Sequence, residues 1–131
     1  MRFLTPAELK HGGRVVSRPE LGILFARVRD RIAALRTMYG DGPLDVDYEG
    51  LGERACTVCV VRCDISHIAV ARTSTRTGQT HPLGGFIGEI EYSGNLTEFL
   101  PWLRAAEWTG VGRQTVWGKG HIRVIDPPAQ Q

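Results

Sequence analysis

Lysine is almost missing from this chain: Lys10 and Lys119 are its only two, and every other basic residue is arginine. The planar arginine fork suits bidentate contact with phosphate or carboxylate, although a genome rich in arginine codons gives the same bias. The net charge is small, +2 over 131 residues, too little to identify a nucleic-acid binder. Long apolar runs are missing as well. None approaches the roughly 20 residues that a membrane helix needs, and the apolar part of Met1-Arg-Phe-Leu-Thr-Pro6 is too short for a secretory signal. Cysteine is sparse and odd in number, three residues in all. Without an export signal, a reduced, cytoplasmic setting and no membrane contact are expected.

What is present suits one globular domain over residues 1–131. The apolar fraction is 42% and the charged fraction 23%, both near globular averages. Residues 2–5 read as a short strand stopped by Pro6, followed by a loop through Gly12-Gly13. Ser17-Arg-Pro-Glu20 has a capping-box pattern. Leu21, Leu24, Phe25, Val28, Ile32, Leu35 and Tyr39 then recur at helical spacing, and Gly40-Asp-Gly-Pro43 ends that helix. A short helix fits near Tyr48–Arg54. The β-branched run Thr57–Val61 argues for a strand, with Ile65–Ala71 continuing extended. A polar loop or twisted hairpin covers 72–82, and Phe86–Tyr92 alternates as a strand. A second main helix, starting near Asn95 or Thr97, carries Leu96, Phe99, Leu100, Leu103 and Trp108. A last strand is expected over about Val116–Ile125. The order βαββαβ gives an α+β, ferredoxin-like fold: a four-stranded antiparallel sheet with two helices on one face. Its other face is then a ready platform of the kind on which RNA-recognition modules stack bases.

The most informative stretch is 110–121, where Gly110, Gly112, Gly118 and Gly120 surround Arg113, Trp117, Lys119 and His121. It is not a P-loop, since no Gly-Lys-Ser/Thr closes it. Nor is it a dinucleotide fingerprint, because it runs from helix to strand. Two readings stand: a tight connection with Gly110 as a helix C-cap, or an anion cradle built from consecutive backbone N–H groups.

Cys56, Cys59, Cys63 and His67 superficially resemble four zinc ligands, yet the long gap between two knuckles is missing. Residues 56 and 59 would also face opposite sides of a strand. Small buried thiols are the expectation, with no metal. His81 shares its polar loop with Arg72, Ser74 and Arg76, a set that suits phosphate contact or proton transfer, or simply a solvated loop. His11, His67, His81 and His121 have no adjacent nucleophile. Glu89 with Glu91, and Asp41 with Asp45 and Asp47, show no acid/base or metal spacing.

Several blocks together resemble one family. They are Phe3-Leu-Thr-Pro-Ala-Glu-Leu-Lys10, Leu35-Arg-Thr-Met-Tyr-Gly40, Arg72-Thr-Ser-Thr-Arg76, His81-Pro-Leu-Gly-Gly-Phe-Ile-Gly88, Gly94-Asn-Leu-Thr-Glu-Phe-Leu-Pro-Trp-Leu-Arg104 and Val111-Gly-Arg-Gln-Thr-Val-Trp-Gly-Lys-Gly120. In order and spacing they resemble the C-terminal domain of the CRISPR-associated RAMP endoribonucleases, which cut precursor repeat RNA. The resemblance implies two ferredoxin-like domains in the whole protein and no cofactor. It also implies metal-independent cleavage by attack of an RNA 2′-hydroxyl on the adjacent phosphate. Repeat RNA is the implied partner, alongside an N-terminal RAMP domain or other CRISPR effector subunits. Carried over by position, the implied RNA-binding residues are Gly110, Gly112, Arg113, Gln114, Thr115, Trp117, Gly118, Lys119, Gly120 and His121. Arg113 and Lys119 are the expected phosphate contacts, and Trp117 either stacks on a base or packs in the core. Arg72, Arg76 and His81 form a second, weaker set. No catalytic residue carries over. The alternatives are a structural domain that packs against a catalytic N-terminal half without touching RNA, and a self-sufficient ribonuclease using His81 or His121.

Overall fold

The computed structural model describes residues 1–125 apart from 41, 43, 69, 70, 74–79, 83, 114, 116 and 117. In chain order the elements are β1 (Arg2–Ala7), β2 (Lys10–His11), β3 (Arg14–Val15), α1 (Leu21–Tyr39), α2 (Tyr48–Ala55), β4 (Cys59–Ile68), β5 (Ala71–Thr73), β6 (Thr80–Pro82), β7 (Gly85–Ser93), α3 (Leu100–Thr109) and β8 (Ile122–Arg123). One sheet holds β4, β7, β1 and β8 in that order, with every neighbouring pair antiparallel. With the two small ribbons β2–β3 and β5–β6 set aside, this is the ferredoxin-like arrangement expected, with α2 as a third, short helix. No helix among the described residues is long and apolar enough to cross a membrane.

Alternation along the strands explains the core. Phe3, Phe86, Ile90 and Ile122 point to one face of the sheet and are buried there. Against them α1 lays Leu21, Leu24, Phe25 and Val28, spaced i, i+3, i+4, i+7. α2 adds Leu51 and Ala55, and α3 adds Leu103 and Ala106, with Phe99 just before it. Phe25 stands edge-on to Phe99 and Trp102, with centroids 5.1 and 5.6 Å away. Each such aliphatic or phenyl side chain contributes about 1.5–3 kcal/mol when fully buried. The Tyr92 hydroxyl donates to the Pro19 carbonyl at 2.6 Å and ties β7 to the start of α1. Burial there pushes that hydroxyl's pKa up.

Several local expectations change. β1 runs through Pro6, because its register shifts between Phe3 and Ala7 and an irregularity tolerates a residue without an N–H. Gly12-Gly13 is a tight hairpin turn between β2 and β3, with φ of 59° and 78° as the primed turns require. The Ser17–Glu20 capping box does not form. The Glu20 amide donates to the Arg18 carbonyl at 3.0 Å, and α1 starts at Leu21 without a side-chain cap. Burial along α1 fades toward its C-terminal end, where Tyr39 of the apolar stripe and the neighbouring Met38 are exposed. β4 is one strand through Cys59–Ile68, and Pro101 sits in the first turn of α3, delaying its start to Leu100. Cys56, Cys59 and Cys63 are exposed rather than buried: Cys56 caps the end of α2, and Cys59 and Cys63 lie on β4, an edge strand. No group of three metal-binding side chains converges among the described residues. The last strand is only Ile122–Arg123. At Gly118 and Gly120 the backbone has φ of 85° and 72°, which no extended strand accommodates.

Candidate functional site

The glycine-rich segment is laid against the end of β1 and the residues after it. Gly110 caps α3 with φ 74°, its amide donating to the Ala106 carbonyl at 2.9 Å. The Val111 amide reaches the Gly120 carbonyl at 3.0 Å, and the Gly120 amide reaches the Pro6 carbonyl at 2.9 Å. Arg113 donates its amide to the Glu8 carbonyl at 3.0 Å, Gly118 to Thr115 at 3.0 Å, and His121 to the Thr5 hydroxyl at 3.0 Å. At two positions glycine is required by approach as well as by φ. A Cβ on Gly112 would run into the Glu8 carbonyl and lie 2.9 Å from Leu9 Cδ2, and one on Gly120 would run into the Val111 carbonyl. Six amides of the segment are therefore spent inside the protein. At these positions the arrangement is a tight connection rather than an open cradle of N–H donors.

Glu8, which the sequence did not single out, organises the charges. Its Oε2 lies 3.4 Å from Lys119 Nζ and 3.5 Å from Arg113 NH1. The Lys119 side chain is only 3% exposed, so it braces the segment from within. Arg113, by contrast, keeps 47% of its side chain exposed and extends to solvent.

Beside the segment opens a concavity of about 700 Å³. Arg104 and Trp108 line it from α3, Thr115 and Gly118 from the segment, and His121 and Arg123 from the far side. Of the residues expected to act together, Gly110, Thr115, Gly118, Lys119 and His121 meet at this concavity. Gly112, Arg113 and Gly120 lie instead toward Glu8, Pro6 and Val111. Gln114, Trp117 and Arg76 fall outside the described residues. Arg72 and His81 are opposite one another in the β5–β6 register. That ribbon leaves the sheet beyond Ile68↔Gly85, the same end at which Ala7 pairs with Phe86 and Glu8 receives the glycine segment.

Two residues at the site were missed or misread from sequence. Arg123 had no motif to flag it. Trp108 was grouped with the core stripe of α3, yet it is 92% exposed. The signal was in the phase: Trp108 follows buried Ala106 by two residues, about 200° around a helix.

The uncovered face of the sheet is also unlike a base-stacking platform. By alternation it carries Arg2, Leu4, Arg62, Ile87, Glu89 and Glu91, with no aromatic ring among these. Arg2 donates to Glu89 at 2.6 and 2.9 Å, and Arg62 to the same carboxylate at 3.1 Å. Hydrogen bonds from Arg2 and then Arg62 hold the Glu89 carboxyl below the usual carboxylate range. These guanidinium groups are thus already engaged by carboxylates.

The profile of the family described as CRISPR-associated endoribonuclease Cas6 matches residues 1–122. Among solved structures the chain is similar to Thermus thermophilus Cas6 (TTHB231), with 25% identity and a TM-score of 0.65, covering 92% of this chain and 50% of that one. The product complex of Cas6 (TTHB231) gives 26% and 0.64, covering 92% of this chain and 47% of that one. The substrate mimic complex of Cas6 (TTHA0078) gives 26% and 0.59, covering 92% and 49%. The chain spans about half the length of these relatives. No curated protein matches it.

Proposed function

The chain belongs to the CRISPR-associated endoribonuclease Cas6 family, and on that premise we propose that it is the RNA-binding, C-terminal half of a two-domain RAMP endoribonuclease. The longer protein processes CRISPR precursor RNA, cutting repeat RNA without metal through its 2′-hydroxyl, and serves antiviral defence in the cytoplasm. The observation that carries the reading is the family match over residues 1–122, beside relatives solved as product and substrate mimic complexes. Repeat RNA lies on the sheet end that bears the glycine segment and the β5–β6 ribbon. Arg113 contacts phosphate, His121 and Thr115 add donors, and Arg72, Arg76 and His81 form the second, weaker set of RNA contacts. Gln114 and Trp117 are carried over by resemblance as further RNA contacts. Gly110, Gly112, Gly118 and Gly120 give it its shape, with Lys119 and Glu8 as the brace.

The test is binding of the cognate repeat RNA across a salt series. The expected result is salt-sensitive binding whose slope becomes shallower by about 0.7 in Arg113→Ala, one phosphate contact on a single strand. Wild-type protein that fails to bind at low salt would end the reading. Incubation of labelled repeat RNA in EDTA tests whether this chain cuts alone. A cyclic-phosphate product lost in His121→Ala or His81→Ala would assign the chemistry to this half.

One observation favours a second role alongside the first. An apolar groove of about 470 Å³ runs between β7 and α3, lined by Ile90, Leu96, Leu100, Leu103, Val124 and Ile125. It suits packing against the other half of a two-domain protein. If that role is the whole function, co-expression with the other half forms a complex while Arg113→Ala leaves RNA binding unchanged.

A further inference from the structure

We propose that Trp108 is a stacking platform for one unpaired nucleobase, with Arg104 and Arg123 holding the phosphates on either side of it. The inference rests on the RNA-binding reading above and adds a recognition element outside the glycine segment.

Three observations carry it. First, a tryptophan offers about 150–250 Å² of ring surface to burial, and this one is 92% exposed while Trp102, on another face of α3, packs against Phe25. Second, it does not stand on an apolar patch. Arg104 lies one turn before it on the same side of the helix, and both line the concavity together with His121 and Arg123, which lie just before and in β8. Glu107 is the one carboxylate among the lining residues. An apolar protein surface would meet these cations unfavourably, whereas a nucleotide matches ring to ring and charge to charge. Third, the position decides which part of the nucleotide goes where. Trp108 sits in the last turn of α3, where helix carbonyls are left without intrahelical partners and the helix end carries partial negative charge. Phosphate is disfavoured at the ring itself. The N–H edges of a base are favoured there, and the phosphates are drawn to Arg104 and Arg123. Stacking tolerates any base because each has a π-face, so the site adds affinity for single-stranded RNA rather than sequence choice.

The experiment uses a short oligoadenylate carrying one 2-aminopurine, titrated with this chain over a salt series. Trp108→Ala is expected to weaken binding by at least about fivefold, the low end for one stacked base, with no change in salt slope. The 2-aminopurine quenching seen with wild type is lost in Trp108→Ala and largely kept in Trp108→Phe. Arg104→Ala and Arg123→Ala each lower the salt slope by about 0.7. Melting temperatures of the Trp108 variants should match wild type, since the residue is 92% exposed.

Wild-type binding that Trp108→Ala leaves intact, with quenching unchanged, overturns the stacking site and leaves the RNA-binding reading standing. Failure of wild type to bind oligoadenylate and repeat RNA alike removes both. If Trp108→Ala keeps RNA affinity but loses association with the other half of the protein, the ring is a protein contact and the proposal is wrong.

Discussion

Replacing Lys119 with methionine separates a brace from an RNA contact. Methionine keeps most of the stem volume and removes the charge, leaving Glu8 to Arg113 at 3.5 Å. Breaking one side of a fully buried ion pair costs about 3–5 kcal/mol, mostly from the abandoned charge. Glu8 is not fully buried, with 20% of its side chain exposed, and it retains Arg113. The loss should therefore fall to about 1–2 kcal/mol, a drop of roughly 4–8 °C in Tm for a domain of this size. Thermal unfolding of wild type, Lys119→Met, Glu8→Gln and the double variant measures the coupling. The double variant should melt well above the sum of the single losses, because neither charge is stranded. The RNA salt slope of Lys119→Met should equal that of wild type, unlike Arg113→Ala. If Lys119→Met instead melts with wild type and has a shallower salt slope, the lysine reaches RNA and the brace assignment is wrong.

Gly120→Ala should cost about 2–4 kcal/mol, because φ of 72° strains a non-glycine residue and the new Cβ meets the Val111 carbonyl; chemical denaturation reads the loss, and a change within half a kcal/mol would show the segment can yield. Glu89 should titrate below the usual glutamate range by carboxyl NMR, and Arg2→Ala should move its midpoint upward. The sign follows from linkage: a depressed carboxyl pKa contributes stability above its unfolded value, and this is lost as pH falls through the folded value. An unchanged midpoint in Arg2→Ala would remove Arg2 as the main cause.

What the sequence revealed depended on how local the cause was. The α1 stripe and the alternation of Phe86–Tyr92 are properties of neighbouring residues, and both elements stand where their periods put them. The extent of burial along α1 was not legible, since its buried residues end at Val28 while Met38 and Tyr39 are exposed. A strand was expected over about Val116–Ile125, but the glycines at 118 and 120 break it with positive φ. Lys119 was expected to contact phosphate, and its pairing with Glu8 was not legible because that partner is 111 residues away. Resemblance drew attention to the glycine segment but not to Trp108, whose exposure is a matter of helical phase.

The glycines and the cations at this site should therefore fail in different ways. Six amides of the segment already donate within the protein, so its glycines contribute shape, and substitutions at Gly112 or Gly120 act on folding before they act on RNA. Arg113, His121 and Trp108 keep exposed side chains, so their loss should weaken binding while leaving the melting transition in place. Lys119 belongs with the glycines in this division despite its charge, because its buried ammonium is committed to the partly buried Glu8 carboxylate. A segment that reads as a phosphate cradle is thus built as a rigid mount, and the proposed RNA affinity is expected to reside in the exposed side chains around it.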